Sequence, residues 1–434
     1  MTIPRKNQPW TMVNRLHPFT RHKDRKNIAV LLFTSTLCAI PQIFGALRIN
    51  HYLFQHGIDE ILALPPPTTS KLVSTEHDKQ SNDRSAFPPI TRRHINETFG
   101  ACLMLKEDNE LLYEWLAYHY TILPLRYVFV ASDVGNLQDP EAVLARWKTA
   151  NTDLEYWVQN ASDFAHRHGH EYGTANSIKD VHHAFVNRQR AFITTCTEFL
   201  KSNGLQWITY FDSDEFLVIN YLKPEEQTDT TIGNAEKMEL RRLLPGIQTN
   251  TTVLETMSDL ETTHNLSNCQ TLPRVLVGAL ENFTCPDAPS RESIESKGIP
   301  YDWMSSLRFH QHAEKGDFAM SKYGKVMMKV SEFSEDTIAK VPSNIHRPYK
   351  EECGRAFTLF PDALFYLNHY IGSWERYSAR EDGRRNRQEW EKRAYMTAGT
   401  SCKDEVFQWF YRFEHLVGVE RAAYLLGGNH TIGE

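Results

Sequence analysis

Two carboxylates one residue apart, at the end of an apolar run, are the arrangement in this chain best suited to chemistry. Asp212-Ser213-Asp214-Glu215-Phe216 closes the run Leu205-Gln206-Trp207-Ile208-Thr209-Tyr210-Phe211, whose β-branched and aromatic residues predict a short buried strand. Leu217-Val218-Ile219 follows at once. Oxygen ligands at a sheet edge suit a hard divalent cation, Mn²⁺ first and Mg²⁺ second, above all when a diphosphate supplies further oxygens. Ligands of open α/β sheets bind beyond the carboxyl ends of strands. The pattern points to a metal-dependent transferase using a diphosphate-activated donor; a solvated acidic turn is the alternative reading.

The elements that must hold this turn are legible on both sides of it. Phe99 to Leu105 reads as a buried strand, Leu111 to His119 as a helix, and Tyr127 to Ala131 as a second strand with Asp133 just past its end. Asp139 as N-cap and Pro140 at the first position start a helix through Lys148. Leu154 to Val158 is a third strand, and a helix from about Val181 to Ser202 ends at Asn203-Gly204. Strands alternating with helices predict an α/β fold with a mainly parallel sheet covered on both faces. His166, His168, His170, His182 and His183 fall in a polar stretch read as a loop over the site rather than as a metal cluster.

From Asn220 to Trp303 prolines interrupt the pattern, which suggests an irregular acceptor-side region around Arg274 to Gly278. Further strands are expected at Lys325 to Val330 and Ala363 to Leu367. His369, just past the latter, is a candidate metal ligand, since imidazole suits Mn²⁺ beside carboxylates; a histidine hydrogen-bonded within the core is the alternative. The charge run Arg380 to Arg393 reads as a solvated helix face, and packing helices close the chain around Phe410 and Leu425.

Residues 1–27 carry the basic cluster Arg21, Lys23, Arg25 and Lys26, and Ile28 to Leu47 is free of formal charge and long enough to cross a bilayer. The positive-inside rule keeps the N-terminus cytoplasmic and sends the rest of the chain across; a cleaved signal peptide is the alternative. Residues 48–95, rich in proline and hydroxyls, read as a stem. Residues 96–434 then form the lumenal domain: 96–220 the donor half, 221–380 the acceptor half and 381–434 the C-terminal helices. Glycosylation sequons at Asn96, Asn160, Asn250, Asn265, Asn282 and Asn429 all lie beyond the anchor. Of 7 cysteines, Cys102 and Cys196 read as buried thiols, Cys269 with Cys285 as the best disulfide pair, and Cys353 with Cys402 as a weaker one. A net charge of −6 excludes nucleic acid as a partner on gross charge.

With these residues in view, the chain from about Phe99 to Arg380 resembles the family 92 glycosyltransferases and related family 2-like enzymes of GT-A fold. Lys106-Glu107-Asp108 with Glu114-Trp115 and His119 looks like that family's opening strand and helix, and Asp133, Asp139, Gln189 and Cys196 fit the elements that follow. Trp207-Ile208 with Asp212 to Phe216 matches its most specific segment. Ser321-Lys322, Val326, His346, Asn368-His369-Tyr370 and Ser373-Trp374-Glu375 match its C-terminal half. The resemblance implies a nucleotide-sugar donor, a UDP-sugar first, a divalent metal, and inverting transfer to a glycan or glycoprotein acceptor by a single-pass type II Golgi membrane enzyme.

By position, Asp108 and Asp133 would contact uridine or ribose, Asp212 and Asp214 would hold metal and ribose, and His369 would be a late metal ligand. Two positions depart from the family: Glu107-Asp108 replaces a frequent asparagine-acid pair, and Gly372 stands where a lysine is common. A phosphate contact would then fall to Lys322, Lys325 or Arg376, if it is made at all.

Inverting transfer needs a base to deprotonate the acceptor hydroxyl. Asp302, Glu281 and Glu255 are the candidates in the acceptor region, and spacing does not choose among them. A catalytically inactive relative kept for glycan binding or scaffolding is the competing function; the intact Asp212, Asp214 and His369 argue against it. A metal-dependent hydrolase would need further ligands that the sequence does not show.

Overall fold

Phe99–Leu105 (β1) is buried along nearly its whole length, as a strand covered on both faces must be. The computed structural model describes residues 90–160, 178–222, 240–242, 244, 251–264, 266–281, 283–313, 323–354, 358–379, 386–396, 399–400 and 406–429, with the backbone alone at 178–182, 395–396 and 399–400. All fall in one unit of the chain, Asn82–Glu434. The expected anchor Ile28 to Leu47, nearly all of the stem, Cys402, Lys322 and the sequon residues Asn250, Asn265 and Asn282 lie outside the described residues. Among the described residues no helix is long and apolar enough to cross a membrane.

After β1 come the helix Asn109–Ile122 (α1), Leu125–Ser132 (β2), Glu141–Thr149 (α2), Glu155–Asn160 (β3), Ile178–Ser202 (α3) and Trp207–Thr209 (β4). This alternation yields a parallel block, β3-β2-β1-β4, as the sequence predicts. Helix α2 begins at Glu141, one residue later than expected, yet Asp139 Oδ1 still accepts the Glu141 N–H at 2.9 Å, which is the capping bond foreseen for it. Helix α3 ends at Asn203-Gly204, with Gly204 at φ +88°. It lies so close to β1 that a Cβ on Gly100 would meet Leu200 Cδ1 at 3.0 Å.

That close approach corrects one reading of the cysteines: Cys102 and Cys196 are buried, but they are joined as a disulfide with Cα atoms 5.9 Å apart. The expected Cys269–Cys285 pair does not form either. Cys269 joins Cys353, because Cys269–Leu272 (β6) lies beside the short helix Lys350–Cys353; Cys285 is bonded elsewhere. The weaker pairing of Cys353 with Cys402 falls with it.

Beyond β4 the prediction of a mainly parallel sheet fails. Lys325–Lys329 (β9) adds antiparallel to β4, and β6 adds antiparallel to β9, extending the first sheet to β3-β2-β1-β4-β9-β6. Glu215–Ile219 (β5), Arg274–Val277 (β7), Gln311–His312 (β8), Phe365–Tyr370 (β10) and Gly399–Thr400 (β11) form a second sheet in the order β11-β8-β7-β10-β5. In it only β10 and β7 run parallel. Helical crossovers link the strands through β4, as parallel pairing requires; beyond it the described links are built mostly of short helices and turns.

The acidic turn at 212–214 is the place where the chain leaves the first sheet and enters the second. Helix α1 fixes the entering strand. β5 is an edge, so its outward backbone groups need partners. Tyr118 donates its hydroxyl to Leu217 O at 2.7 Å, and the Leu217 N–H points at His119 Nε2 at 3.5 Å. His119 is fully buried, its Nδ1 against Trp115 O, and burial pushes its pKa down to about 3, so it stays neutral. Glu114, also buried, accepts from Ser305 N, Ser306 N and Ser306 Oγ, tying the short helix Ser305–Arg308 to α1. The helix Gln408–Val417 also packs on α1, with Trp409 edge-on to Tyr118, and Val419–Leu425 packs on that helix and on α2.

Candidate functional site

The site is assembled at the turn between the sheets. Asp214 is mostly buried, and its backbone carbonyl accepts the Tyr370 N–H at 2.9 Å. In the β5–β10 register His369 lies opposite Glu215, which brings His369 Nε2 to 3.6 Å from Asp214 Oδ1. Thus two of the three expected metal ligands, Asp214 and His369, stand side by side. Asp212 is more exposed and turned aside: its Oδ1 takes Lys325 Nζ at 2.8 Å.

Under this pair lies a charge cluster that the sequence reading missed. Glu215 is fully buried, accepts the Asp212 N–H at 3.0 Å, and meets Arg274 at 3.2 Å and Lys325 at 3.8 Å. Burial opposes the charge on Lys325, but Asp212 and Glu215 outweigh it and hold the ammonium above its usual range. Burial, reinforced by Lys325 and Arg274, pushes neighbouring His346 down to about 4, and its Nδ1 lies 3.0 Å from Gly324 O. Lys325 is therefore committed to holding the acidic turn. Glu215 carried a signal in the sequence: a carboxylate opening an apolar strand must be buried with partners, and Arg274 and Lys325 each open a strand.

Of the two acids expected on the donor side, Asp108 meets the acidic turn and Asp133 is held apart from it by Arg188. Asp108 occupies the N-cap of α1 but makes no side-chain cap; its Oδ2 accepts from Ser213 Oγ at 2.8 Å, joining the end of β1 to the acidic turn. Asp133 is buried and held by both arms of Arg188, at 2.7 and 2.9 Å, which leaves each oxygen further acceptor capacity.

The three base candidates fare differently. Glu255 forms a capping box with Thr252 at the start of the helix Val253–His264. It lines a cavity of about 340 Å³ with Trp207, at the opposite end of β4 from Asp212. Asp302 and Glu281 sit in an ion-pair network with Arg291 and Arg308. The hydrogen bond from Arg291 pulls the Asp302 pKa below the usual range, making it a weaker base. Of the sequon residues described, Asn96, Asn160 and Asn429 are all exposed.

Gly372 has φ +72°, and a Cβ there would stand 3.4 Å from Arg376 Cδ. The Arg376 stem thus lies beside the space a side chain at 372 would take, and its guanidinium donates to Ser305 Oγ at 3.2 Å and pairs with Glu110 at 3.3 Å.

Among the described residues no three His, Cys, Asp or Glu side chains converge as a ready metal cage. Asp214 and His369 do fit a cation that takes two protein donors and completes its shell with diphosphate and water, as Mg²⁺ and Mn²⁺ do at phosphate sites.

No family model matches the chain, and no curated protein matches it. Among solved structures, S. aureus TarS 1-349 in complex with UDP-GlcNAc is similar at 10% identity and a TM-score of 0.27, over 74% of this chain and 66% of that one. A likeness at that score carries no argument for a shared activity.

Proposed function

We propose that the chain is a metal-dependent glycosyltransferase of GT-A type that moves a sugar from a nucleotide diphosphate, UDP first, to a glycan acceptor with inversion. The observation that carries this reading is the pair Asp214, in the turn before β5, and His369 of β10, brought side by side and linked through the neighbouring Ser213 to Asp108. A catalytically inactive glycan-binding protein of the same fold would have no use for that pair.

In this reading Asp214 and His369 hold the cation, which when bound offsets charge on the leaving diphosphate. Asp108 and Asp133 face the nucleoside, and Asp212 lies beside them. Arg376 supplies the cationic group that Gly372 lacks: its contact with half-exposed Glu110 is the kind of surface pair a diphosphate displaces. The acceptor hydroxyl attacks the anomeric carbon as the bond to diphosphate breaks, and its proton passes to a carboxylate of the Glu281 and Asp302 cluster. The secretory setting, a type II Golgi enzyme on an N-terminal anchor, belongs to the same proposal and rests on the charge pattern of residues 1–47 and on the exposed sequons.

A panel of UDP- and GDP-sugars offered to the full-length protein with Mn²⁺ and mixed glycan acceptors tests the reading. Turnover of one donor with inverted product stereochemistry supports it. A folded protein that binds glycans yet binds and consumes no donor would favour the inactive glycan-binding alternative.

A further inference from the structure

On the proposed donor reading, we infer that Asn136 and Gln138, in the loop after β2, are positioning residues that aim Asp108 at the nucleotide. Glu107 has φ +58°, in the left-handed region that a residue with a side chain enters only when its surroundings hold it there. What holds it is Asn136, whose Oδ1 accepts the Glu107 N–H at 2.8 Å while its Nδ2 donates to Ser132 Oγ at 2.9 Å. On the far side of Asp108, Gln138 Oε1 accepts the Asn109 N–H at 3.0 Å, and Asn109 Nδ2 donates to Asp139 O at 2.8 Å. Two side-chain amides therefore bracket Asp108, each accepting the N–H of a neighbouring residue.

The bracket has a chemical consequence. An aspartate at a helix N-cap ordinarily spends its carboxylate on the first-turn N–H groups. Asp108 does not; with Glu107 left-handed, its carboxylate meets Ser213 Oγ in the acidic turn instead. The loop that supplies the amides gains little from apolar packing, since Leu137 is 89% exposed and Val134 is 45% exposed. It also carries Asp133, whose carbonyl accepts the Asn136 N–H at 3.0 Å. Both donor-side acids are thus set by one polar loop.

The test is UDP binding by calorimetry, with Mn²⁺, to full-length protein. Asn136→Ala is expected to weaken UDP about tenfold, the order set by releasing one strained non-glycine residue, with an unchanged circular dichroism spectrum. Glu107→Gly adopts φ near +58° without the Cβ penalty, so Glu107→Gly with Asn136→Ala should return to within about threefold of wild type. A purely structural role for Asn136 would not be rescued in this way. If Asn136→Ala does not fold, Gln138→Ala is measured instead and is expected to weaken UDP severalfold. Wild-type affinity in the folded single variant, or no recovery in the double variant, overturns the inference while leaving the donor reading intact. A wild-type protein that binds neither UDP nor GDP overturns both.

Discussion

Asp214, in the turn before β5, and His369, in β10, stand 3.6 Å apart between carboxylate Oδ1 and imidazole Nε2. The antiparallel register of β5 and β10 sets that distance, because it places Glu215 opposite His369 and lets the Asp214 carbonyl take the Tyr370 N–H. Strand pairing thus brings these two donor atoms together.

Removing one of the two donors should therefore cost metal affinity and little else. His369→Ala is expected to weaken Mn²⁺ binding on the order of a hundredfold, since losing even an outer-shell partner of a metal ligand costs 10–100-fold. Titration of the paramagnetic ion with and without UDP checks this. Unchanged Mn²⁺ affinity would remove His369 from the site.

Lys325 has a different task. Replacing it with methionine leaves Glu215 buried and Asp212 without its ammonium partner, at a cost of about 3–5 kcal/mol, the usual range for breaking a buried pair. Urea denaturation measures it. A loss below about 1 kcal/mol would show that Arg274 alone balances Glu215.

Glu114 predicts a pH dependence of stability. Burial raises its pKa from 4.5 to about 7, against the pull of its bonds from Ser306 and Ser305. Between these values the folded state binds a proton that the unfolded chain does not, so stability falls as pH rises from 4.5 through about 7. In Glu114→Gln that slope should flatten, as read from thermal midpoints across the window. An unchanged slope would assign it to other groups.

The disulfides give a chemical test. Peptide mapping without reduction should recover Cys102 linked to Cys196 and Cys269 linked to Cys353. Because 94 residues separate Cys102 from Cys196, losing that bond in Cys102→Ser/Cys196→Ser should cost about 4.7 kcal/mol on chain-entropy grounds. Free thiols at these positions in the folded protein would contradict the pairing.

How much of this was legible in the sequence depended on how local the determinant was. β1 reads from Phe99 to Leu105 and is found there, because a strand buried on both faces leaves a continuous apolar run. The run Leu205 to Phe211 overstates β4, which ends at Thr209: Tyr210 and Phe211 are buried, but they pack while the chain leaves the sheet. Asp214 and His369 were visible as chemistry, although His369 lies inside β10 rather than just past its end. Their partners were not. Glu215 finds Arg274 and Lys325 through a sheet pairing that no short window contains, and Cys102 finds Cys196 through the docking of α3 on β1. Asn136 and Gln138 carry no mark of their role in the sequence, since that role lies in bonds to the N–H groups of the left-handed Glu107 and of Asn109, about thirty residues away.

The most direct test of the central claim is donor hydrolysis by the full-length protein with Mn²⁺, with EDTA, and in Asp214→Ala. Hydrolysis of a UDP-sugar that needs Mn²⁺, stops in EDTA and is lost in a folded Asp214→Ala variant is the predicted result. Hydrolysis that persists in EDTA or in the variant would contradict a catalytic cation held by Asp214 and His369.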